Sequence, residues 1–243
     1  MALIDRLVIE SFHCFDKLVV EGLTRINLVV GKNNSGKTTL LRYVAASRGT
    51  SGGTTEFMDS AVPNAQSLER LFLEPMGWGL RAYADEAVGI VDGRVGSVAA
   101  ANETDRIRPA EIVARIRGSY RRFPVTSLGD GTIRILGIAL ACKNARGGVL
   151  LIDSLENGLH CSVMPRFWRF LVKTARELNV QVFATTHSKD LLESLSILHG
   201  ESPELAQDVS VHRLTIGVDK TFRLSASEVG LALDTGMDPR GWE

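Results

Sequence analysis

The sequence predicts an α/β fold in which a mixed, mostly parallel sheet is covered by helices on both faces. Strands alternate with helical stretches through the first and last parts of the chain, the order that builds parallel sheets. The stretch 149–152, Val-Leu-Leu-Ile, is apolar throughout, as a strand buried on both faces should be. A glycine-containing loop at 31–36 joins an apolar strand directly to a helix. The 243 residues suit one large domain, and no internal repeat divides them.

Residues 3–9 read as a strand, with Leu3, Ile4, Leu7, Val8 and Ile9 apolar, and 18–20 as a short second one. Residues 25–30 form a third, ending in Val29 and Val30. A helix follows over 37–46, with Leu40, Leu41 and Val44 on one side. Residues 47–55 (SRGTSGGTT) have the composition of a flexible linker. From there to Tyr120 the pattern weakens: 65–73 reads as a helix, 89–95 as a hairpin turning at Asp92-Gly93, and 109–118 as a short helix. Regularity returns at Val125. An apolar helix is expected over 131–142, then the strand 149–152, an amphipathic helix over 163–178, a buried strand over 180–184 and a helix over 188–198. A strand pair, 209–214 and 221–224, precedes a short helix over 226–233. The expected organisation is a single domain, 1–243, made of a lobe 1–46, a variable lid-like insertion 47–124 and a lobe 125–243.

Hydrophobic residues make up 44% and charged residues 23%, which supplies a sizeable core and excludes wholesale disorder. Lys plus Arg and Asp plus Glu both number 28, a balance that argues against a general polyanion-coating protein. No apolar run approaches the roughly 18 residues of a membrane span, and 1–10 lacks the apolar stretch of a secretion signal. Cys14, Cys142 and Cys161 are widely spaced and suggest neither a disulfide framework nor a zinc site. They read as buried or half-buried free thiols in a cytoplasmic protein with no membrane partner.

Gly31-Lys32-Asn33-Asn34-Ser35-Gly36-Lys37-Thr38 fits G-x-x-x-x-G-K-[ST], the phosphate-binding P-loop, in the context that motif requires: a strand before and a helix after. The glycines let backbone N–H groups of Gly31, Asn33, Asn34, Ser35 and Gly36 converge on phosphate oxygens, and the start of the helix, through Thr39, adds its positive end. Lys37 reaches the β- and γ-phosphates, and the Thr38 hydroxyl is a magnesium ligand. The expected cofactors are ATP and Mg2+. A second magnesium-side carboxylate is needed at the end of a neighbouring strand, and Asp153, after 149–152, supplies it in the Walker B manner. The bland alternative is that Asp153 caps the next turn.

Three further segments resemble a family. Ser127-Leu128-Gly129-Asp130-Gly131 is similar to an ABC-type signature, Asp153-Ser154-Leu155-Glu156-Asn157-Gly158-Leu159-His160 to a Walker B and D-loop, and Ala184-Thr185-Thr186-His187-Ser188 to a switch histidine. The opening Ile9-Glu10-Ser11-Phe12-His13-Cys14-Phe15 resembles the start of the same group. In this order they look most like the RecF, SMC and OLD-type branch of ABC-type ATPases, within it the small bacterial AAA_21-type proteins of the OLD-like group. The resemblance covers 1–46 and 125–198. It implies that ATP is bound between two subunits, with Ser127 and Gly129 of one meeting the γ-phosphate held by the P-loop of the other. His187 would sense that phosphate. The alternatives are a His187 that caps the next helix and a Ser127 that does the same for 131–142.

The sequence departs from the family pattern in four places. Ser154 stands where the pattern has the glutamate that polarises the attacking water, which removes a general base of the usual 10²–10⁴-fold effect. Glu156 would substitute if strand alternation held to that point, and a turn would equally remove it. His13 stands where arginine is usual, as a phosphate or base contact or as a surface histidine. No secure Q-loop is found; Gln66 lies in the right part of the chain. No nuclease-like carboxylate cluster follows His187 and no coiled coil is present, so effector chemistry is expected in a separate polypeptide.

Between the lobes, Arg106, Arg108, Arg115, Arg117, Arg121 and Arg122 form a basic run. It reads as a solvated helix face with Ile112 and Ile116 inward, or alternatively as a groove for nucleic-acid phosphates. Leu71, Phe72, Leu73, Met76 and Trp78 read as the core of a lid rather than a docking surface. The resulting expectation is an ATPase that dimerises on ATP and switches a separate effector, in antiphage defence or DNA maintenance. The alternative is a nucleotide-sensing module that binds without hydrolysing. A transporter ATPase is disfavoured.

Overall fold

A computed structural model describes residues 3–50, 54–73, 80–101 and 111–241. The first elements are the antiparallel hairpin β1 (Arg6–Phe12) and β2 (Phe15–Glu21), then β3 (Ile26–Gly31), α1 (Lys37–Thr50) and β4 (Thr55–Met58). The middle carries α2 (Ala65–Leu73), α3 (Leu80–Val91), β5 (Val95–Ala101), β6 (Glu111–Ile116) and β7 (Arg122–Pro124). Next come α4 (Asp130–Asn144), β8 (Val149–Ile152), α5 (Met164–Glu177), β9 (Gln181–Thr185) and α6 (Lys189–Glu201). The last are α7 (Pro203–Ala206), β10 (Val209–Leu214), β11 (Phe222–Ser225) and α8 (Ala226–Asp234).

Six strands form the central sheet in the order β11-β10-β3-β9-β8-β4. Every pair is parallel except β10–β11, which is antiparallel. This is the mixed, mostly parallel sheet the alternation of elements predicts. β3, β8 and β9 are buried at every position, so their apolar runs serve two faces. Side-chain alternation divides them: Val29, Leu151 and Phe183 face α1 and the β1–β2 hairpin. Leu28, Val30, Leu150, Ile152, Val182 and Ala184 face the larger core with α4, α5 and α6.

α5 shows how the sequence builds that core. Phe167, Trp168, Leu171, Val172 and Ala175 recur at helical spacing and are all fully buried. Each large side chain contributes roughly 1.5–3 kcal/mol on burial. Trp168 also satisfies its ring N–H, which donates to Leu191 O at 3.2 Å and Ser194 Oγ at 3.0 Å. Pro165 begins the helix, where its missing N–H costs nothing.

The weakly patterned middle departs from expectation in three places. Of the expected linker 47–55, the first part belongs to α1, which continues to Thr50, and β4 starts at Thr55 as a parallel edge strand on β8; 51–53 lie outside the described residues. Residues 89–95 are not a hairpin. Ala84, Ala87 and Val88 are buried at helical spacing, so α3 runs to Val91. The Asp92-Gly93 turn is real but joins α3 to β5. Residues 111–116 are not helical. They form the central strand of a second, antiparallel sheet, β5-β6-β7, where the β-branched Ile112, Val113 and Ile116 are at home. Ile112 and Ile116 do turn inward, from a strand.

Buried residues of the middle region, among them Leu68, Leu71, Phe72, Val88 and Val98, belong to the same hydrophobic cluster as α4 and α5. Met76, Trp78, Arg106 and Arg108 lie outside the described residues. Cys142 is buried, whereas Cys14 and Cys161 are exposed rather than half-buried.

Candidate nucleotide site

Three parallel strands bring their carboxyl ends together in the order β3, β9, β8. Ligands of open α/β sheets sit at such ends. β3 delivers Gly31 and the loop behind it, β9 delivers Thr185 and then His187, and β8 delivers Asp153. β9 lies between the two motif-bearing strands, so Walker A and Walker B are next-but-one neighbours.

An open cleft of about 640 Å³ lies over the loop, lined by Asn33, Asn34, Gly36, Lys37, Thr38 and Thr39, with Cys14 and His187 at its sides. The loop geometry demands its glycines. Gly36 has φ +93, and a Cβ there would lie 2.3 Å from Cζ of Phe15. At Gly31 a Cβ would lie 2.6 Å from the carbonyl oxygen of Leu214.

Lys37 is almost fully buried, and its Nζ donates to the carbonyls of Gly31 at 2.9 Å and Lys32 at 2.8 Å. Burial lowers its pKa, opposed by the charges of Asp153 and Glu156. The Thr38 hydroxyl donates to Asp153, at 3.2 Å from Oδ2. The Thr185 hydroxyl makes a short hydrogen bond to Asp153 Oδ1 and accepts the Ser154 N–H at 2.8 Å. Asp153 therefore faces the P-loop helix through its carboxylate.

Past Asp153 the chain turns. Ser154 has φ +53, in the left-handed region, so strand alternation ends before Glu156. The turn nevertheless returns Glu156 to the site: its Oε1 accepts the His187 N–H at 2.9 Å. Its Oε2 is buried with no hydrogen-bond partner among the described residues. The His187 pKa is lowered, first by burial and then by the Lys37 charge, with Glu156 opposing. Ser188, not His187, caps α6: its side chain accepts the Leu191 N–H at 3.1 Å.

Other expected residues lie elsewhere. Ser127 and Gly129 are exposed and do not line the cleft. The Ser127 hydroxyl donates to Pro124 O at 2.7 Å and does not cap α4, whose N-cap is Gly129. Gly131, one turn on, abuts the D-loop: a Cβ there would lie 2.8 Å from Gly158 O. His13 is exposed, with φ +52 and an edge contact to the Phe12 ring; its neighbour Cys14 lines the cleft. Gln66 is exposed on α2 and is not part of the lining.

Sequence reading missed Arg134. It is fully buried on α4, and four carbonyls hold its guanidinium. Nη1 donates to Asp59 O and Ala61 O, both at 2.8 Å; Nη2 donates to Asp153 O at 2.9 Å and Ser154 O at 3.0 Å. The helix that follows the signature-like segment thus grips the backbone that carries Asp153. A charged residue inside the apolar run 131–142 was the available signal, since buried arginines need partners.

The fold and this cleft define a P-loop nucleotide-binding head of the ABC type. The chain belongs to the AAA_21 family, described as "AAA domain, putative AbiEii toxin, Type IV TA system", whose pattern matches residues 62–193. The P-loop itself lies before that stretch. An "ATP/GTP phosphatase" of Helicobacter pylori is 32% identical over 92 residues, 35% of this chain and 24% of that protein. The chain spans between 24% and 60% of the length of the curated relatives it matches. Among solved structures, an SMC head bound to the C-winged-helix domain of ScpA has a TM-score of 0.58 at 10% identity, covering 91% of this chain and 97% of that one. The cbiO1 protein of Clostridium perfringens, part of the ABC transporter complex cbiONQ, has a TM-score of 0.56 at 13% identity, covering 96% and 91%. At such identities the likeness shows the fold.

Proposed function

We propose that this chain is a cytoplasmic ATPase of the OLD-like group, a single domain that binds ATP with Mg2+ and closes into a homodimer across it. In that closed form it switches a separately encoded effector, in antiphage defence or DNA maintenance. The observation that carries the reading is the meeting of Lys37, Thr38 and Asp153 at the carboxyl ends of the sheet. A hydroxyl and a carboxylate 3.2 Å apart are hard oxygen donors of the kind Mg2+ takes alongside phosphate oxygens. Mg2+, when bound, supplies neutralisation of charge on the β- and γ-phosphates. Lys37 exchanges its two carbonyl partners for phosphate oxygens, and the N-terminal turn of α1 directs N–H groups at the same anion. Exposure of Ser127 and Gly129 away from their own cleft supports a role on a second subunit's nucleotide.

Hydrolysis is slow in this reading. Ser154 offers no carboxylate, and Glu156 keeps one unbonded oxygen, Oε2, as the available proton acceptor. The second reading, a binding module that closes on ATP without turning it over, is favoured by the bond that holds Glu156 Oε1 on the His187 N–H. Lys37→Ala tests what both share. It removes the phosphate-facing charge, and binding of a fluorescent ATP analogue should be lost. Unchanged affinity would overturn the site.

A further inference from the structure

The described arginines of the run, Arg115, Arg117, Arg121 and Arg122, do not line the nucleotide cleft. Arg115 lies on β6 and Arg117 just past it, Arg121 just before β7 and Arg122 at its start; all four are exposed. Arg115 and Arg122 are register partners in the antiparallel β6–β7 pair. Like charges directly opposite one another destabilise a sheet, so the fold gains nothing from this pairing. None of the four forms an ion pair among the described residues. Tyr120, 99% exposed, stands in the turn just before Arg121. That turn is held in place: Ser119 N donates to Ile116 O at 3.1 Å and Arg121 N to Ser119 Oγ at 3.1 Å.

Beside the sheet opens a cleft of about 530 Å³, into which Arg117 projects together with Arg166, Arg169 and Lys173 of α5. Its carboxylates are Asp85 and Glu86. Asp85 is occupied with the Val98 N–H at 2.6 Å, and Arg169 is paired with Glu201. Arg117, Arg166 and Lys173 have no ion-pair partner among the described residues. Two glycines keep the cleft clear. Gly89 sits inside α3, where glycine costs about 1 kcal/mol against alanine, yet a Cβ there would meet only open space. At Gly96 a Cβ would lie 2.9 Å from Cγ of Arg117, so the glycine lets that stem lie across the strand.

The chain carries no net charge, yet four cations line this cleft against two carboxylates. We infer that this face binds a single-stranded nucleic acid, its phosphates tracking from the α5 cleft across β6 and β7 and one base stacking on Tyr120. A strand fits better than a mononucleotide because Arg115 and Arg122 lie outside the cleft that Arg117 enters. An exposed aromatic ring among arginines favours unpaired bases, whose faces are open to stacking. The face shares no residue with the nucleotide site, so the two proposals stand or fall separately.

The test is fluorescence anisotropy without nucleotide, using a labelled oligothymidine of about 20 nucleotides, long enough to cross such a face. Arg117→Glu with Lys173→Glu should lose at least about tenfold in affinity, with a salt slope shallower by about one for each cation removed. Lys17→Glu with Arg42→Glu, exposed positions on β2 and α1, makes the same change in net charge and should bind like wild type. Tyr120→Ala should weaken binding about fivefold or more. If charge reversal unfolds the chain, Arg117→Gln with Lys173→Gln should give the same ranking. The inference is overturned if wild type does not bind, or if the control pair loses as much as the test pair. It is also overturned if Tyr120→Ala changes nothing, or if a 5′-mononucleotide displaces the strand at matched phosphate concentration.

Discussion

Arg134→Met should destabilise the domain severely, for a reason that joins the fold to the site. The guanidinium is fully buried and donates to four carbonyls on two separate turns. A hydrogen bond from a charged donor is worth about 1.5–3 kcal/mol, but desolvation of the arginine offsets much of that gain. What the variant exposes is the opposite imbalance: Asp59 O, Ala61 O and Asp153 O lose this donor, and Ser154 O keeps only the Asn157 N–H at 3.1 Å. Each acceptor left unsatisfied away from water costs about 1–3 kcal/mol, so several together are a large share of the roughly 5–15 kcal/mol that holds a typical domain. Arg134→Lys retains the charge but brings its donors to one point. It can serve Asp59 and Ala61, or Asp153 and Ser154, but not both pairs, so about 2 kcal/mol should be lost. Urea denaturation followed by circular dichroism should place the Met variant about 1–2 M below wild type, with Lys between them and the slope unchanged. The Lys variant, still folded in buffer, should also bind ATP more weakly, because two of the four carbonyls belong to Asp153 and Ser154. Equal midpoints for wild type and Met would refute the clamp. A Lys variant as unstable as Met would show that charge burial, not the paired geometry, dominates.

Ser154→Glu should raise phosphate release, by up to the 10²–10⁴-fold of general-base catalysis; an unchanged rate with ATP binding intact would favour the binding module. Its backbone is left-handed, a conformation whose Cβ cost serine already bears, so the change should cost little stability. Glu156→Gln keeps an oxygen for the His187 N–H, so it should fold normally yet lower the residual rate; an unaltered rate would exclude Glu156 as base. His212 is buried, with Nδ1 unpartnered among the described residues, and burial pulls its pKa down from 6.5 to about 4. Folding thus favours the neutral ring, and stability present above pH 6.5 is lost as pH falls towards 4: about 2 kcal/mol between pH 7.5 and 5. His212→Gln should flatten that part of the pH–stability curve, and a wild-type-like slope would remove His212 as its cause.

Most of the sheet was legible because the signals were local. Strands β3, β8 and β9 carry apolar runs that only two-sided burial explains, and the P-loop announces both the end of β3 and the start of α1. The middle was opaque because its signals were ambiguous at short range. Ile112 and Ile116 satisfy a helical spacing of four, and nothing nearby says that β5 and β7 will pair with that stretch. Gly89-Ile90-Val91 looked like the arm of a hairpin because its helical partners, Ala84 and Ala87, are small and weakly patterned. β4 is four residues long and gains its place only by pairing with β8, nearly a hundred residues away. The site was legible in residue identity but not in conformation. The turn at Ser154 and the bond from the His187 N–H to Glu156 depend on β9 lying beside β8, which no motif records.

The mass of the protein in solution tests the proposed nucleotide sandwich most directly. Light scattering with ATP and magnesium, run beside phosphate release, should show the 26.5 kDa species doubling in mass. Ser127→Arg should bind the same ATP analogue yet keep its nucleotide-free mass, because the side chain is exposed and in the proposed sandwich would meet the second subunit. A wild-type mass that stays unchanged at saturating ATP, or a Ser127→Arg variant that doubles as wild type does, would contradict the account.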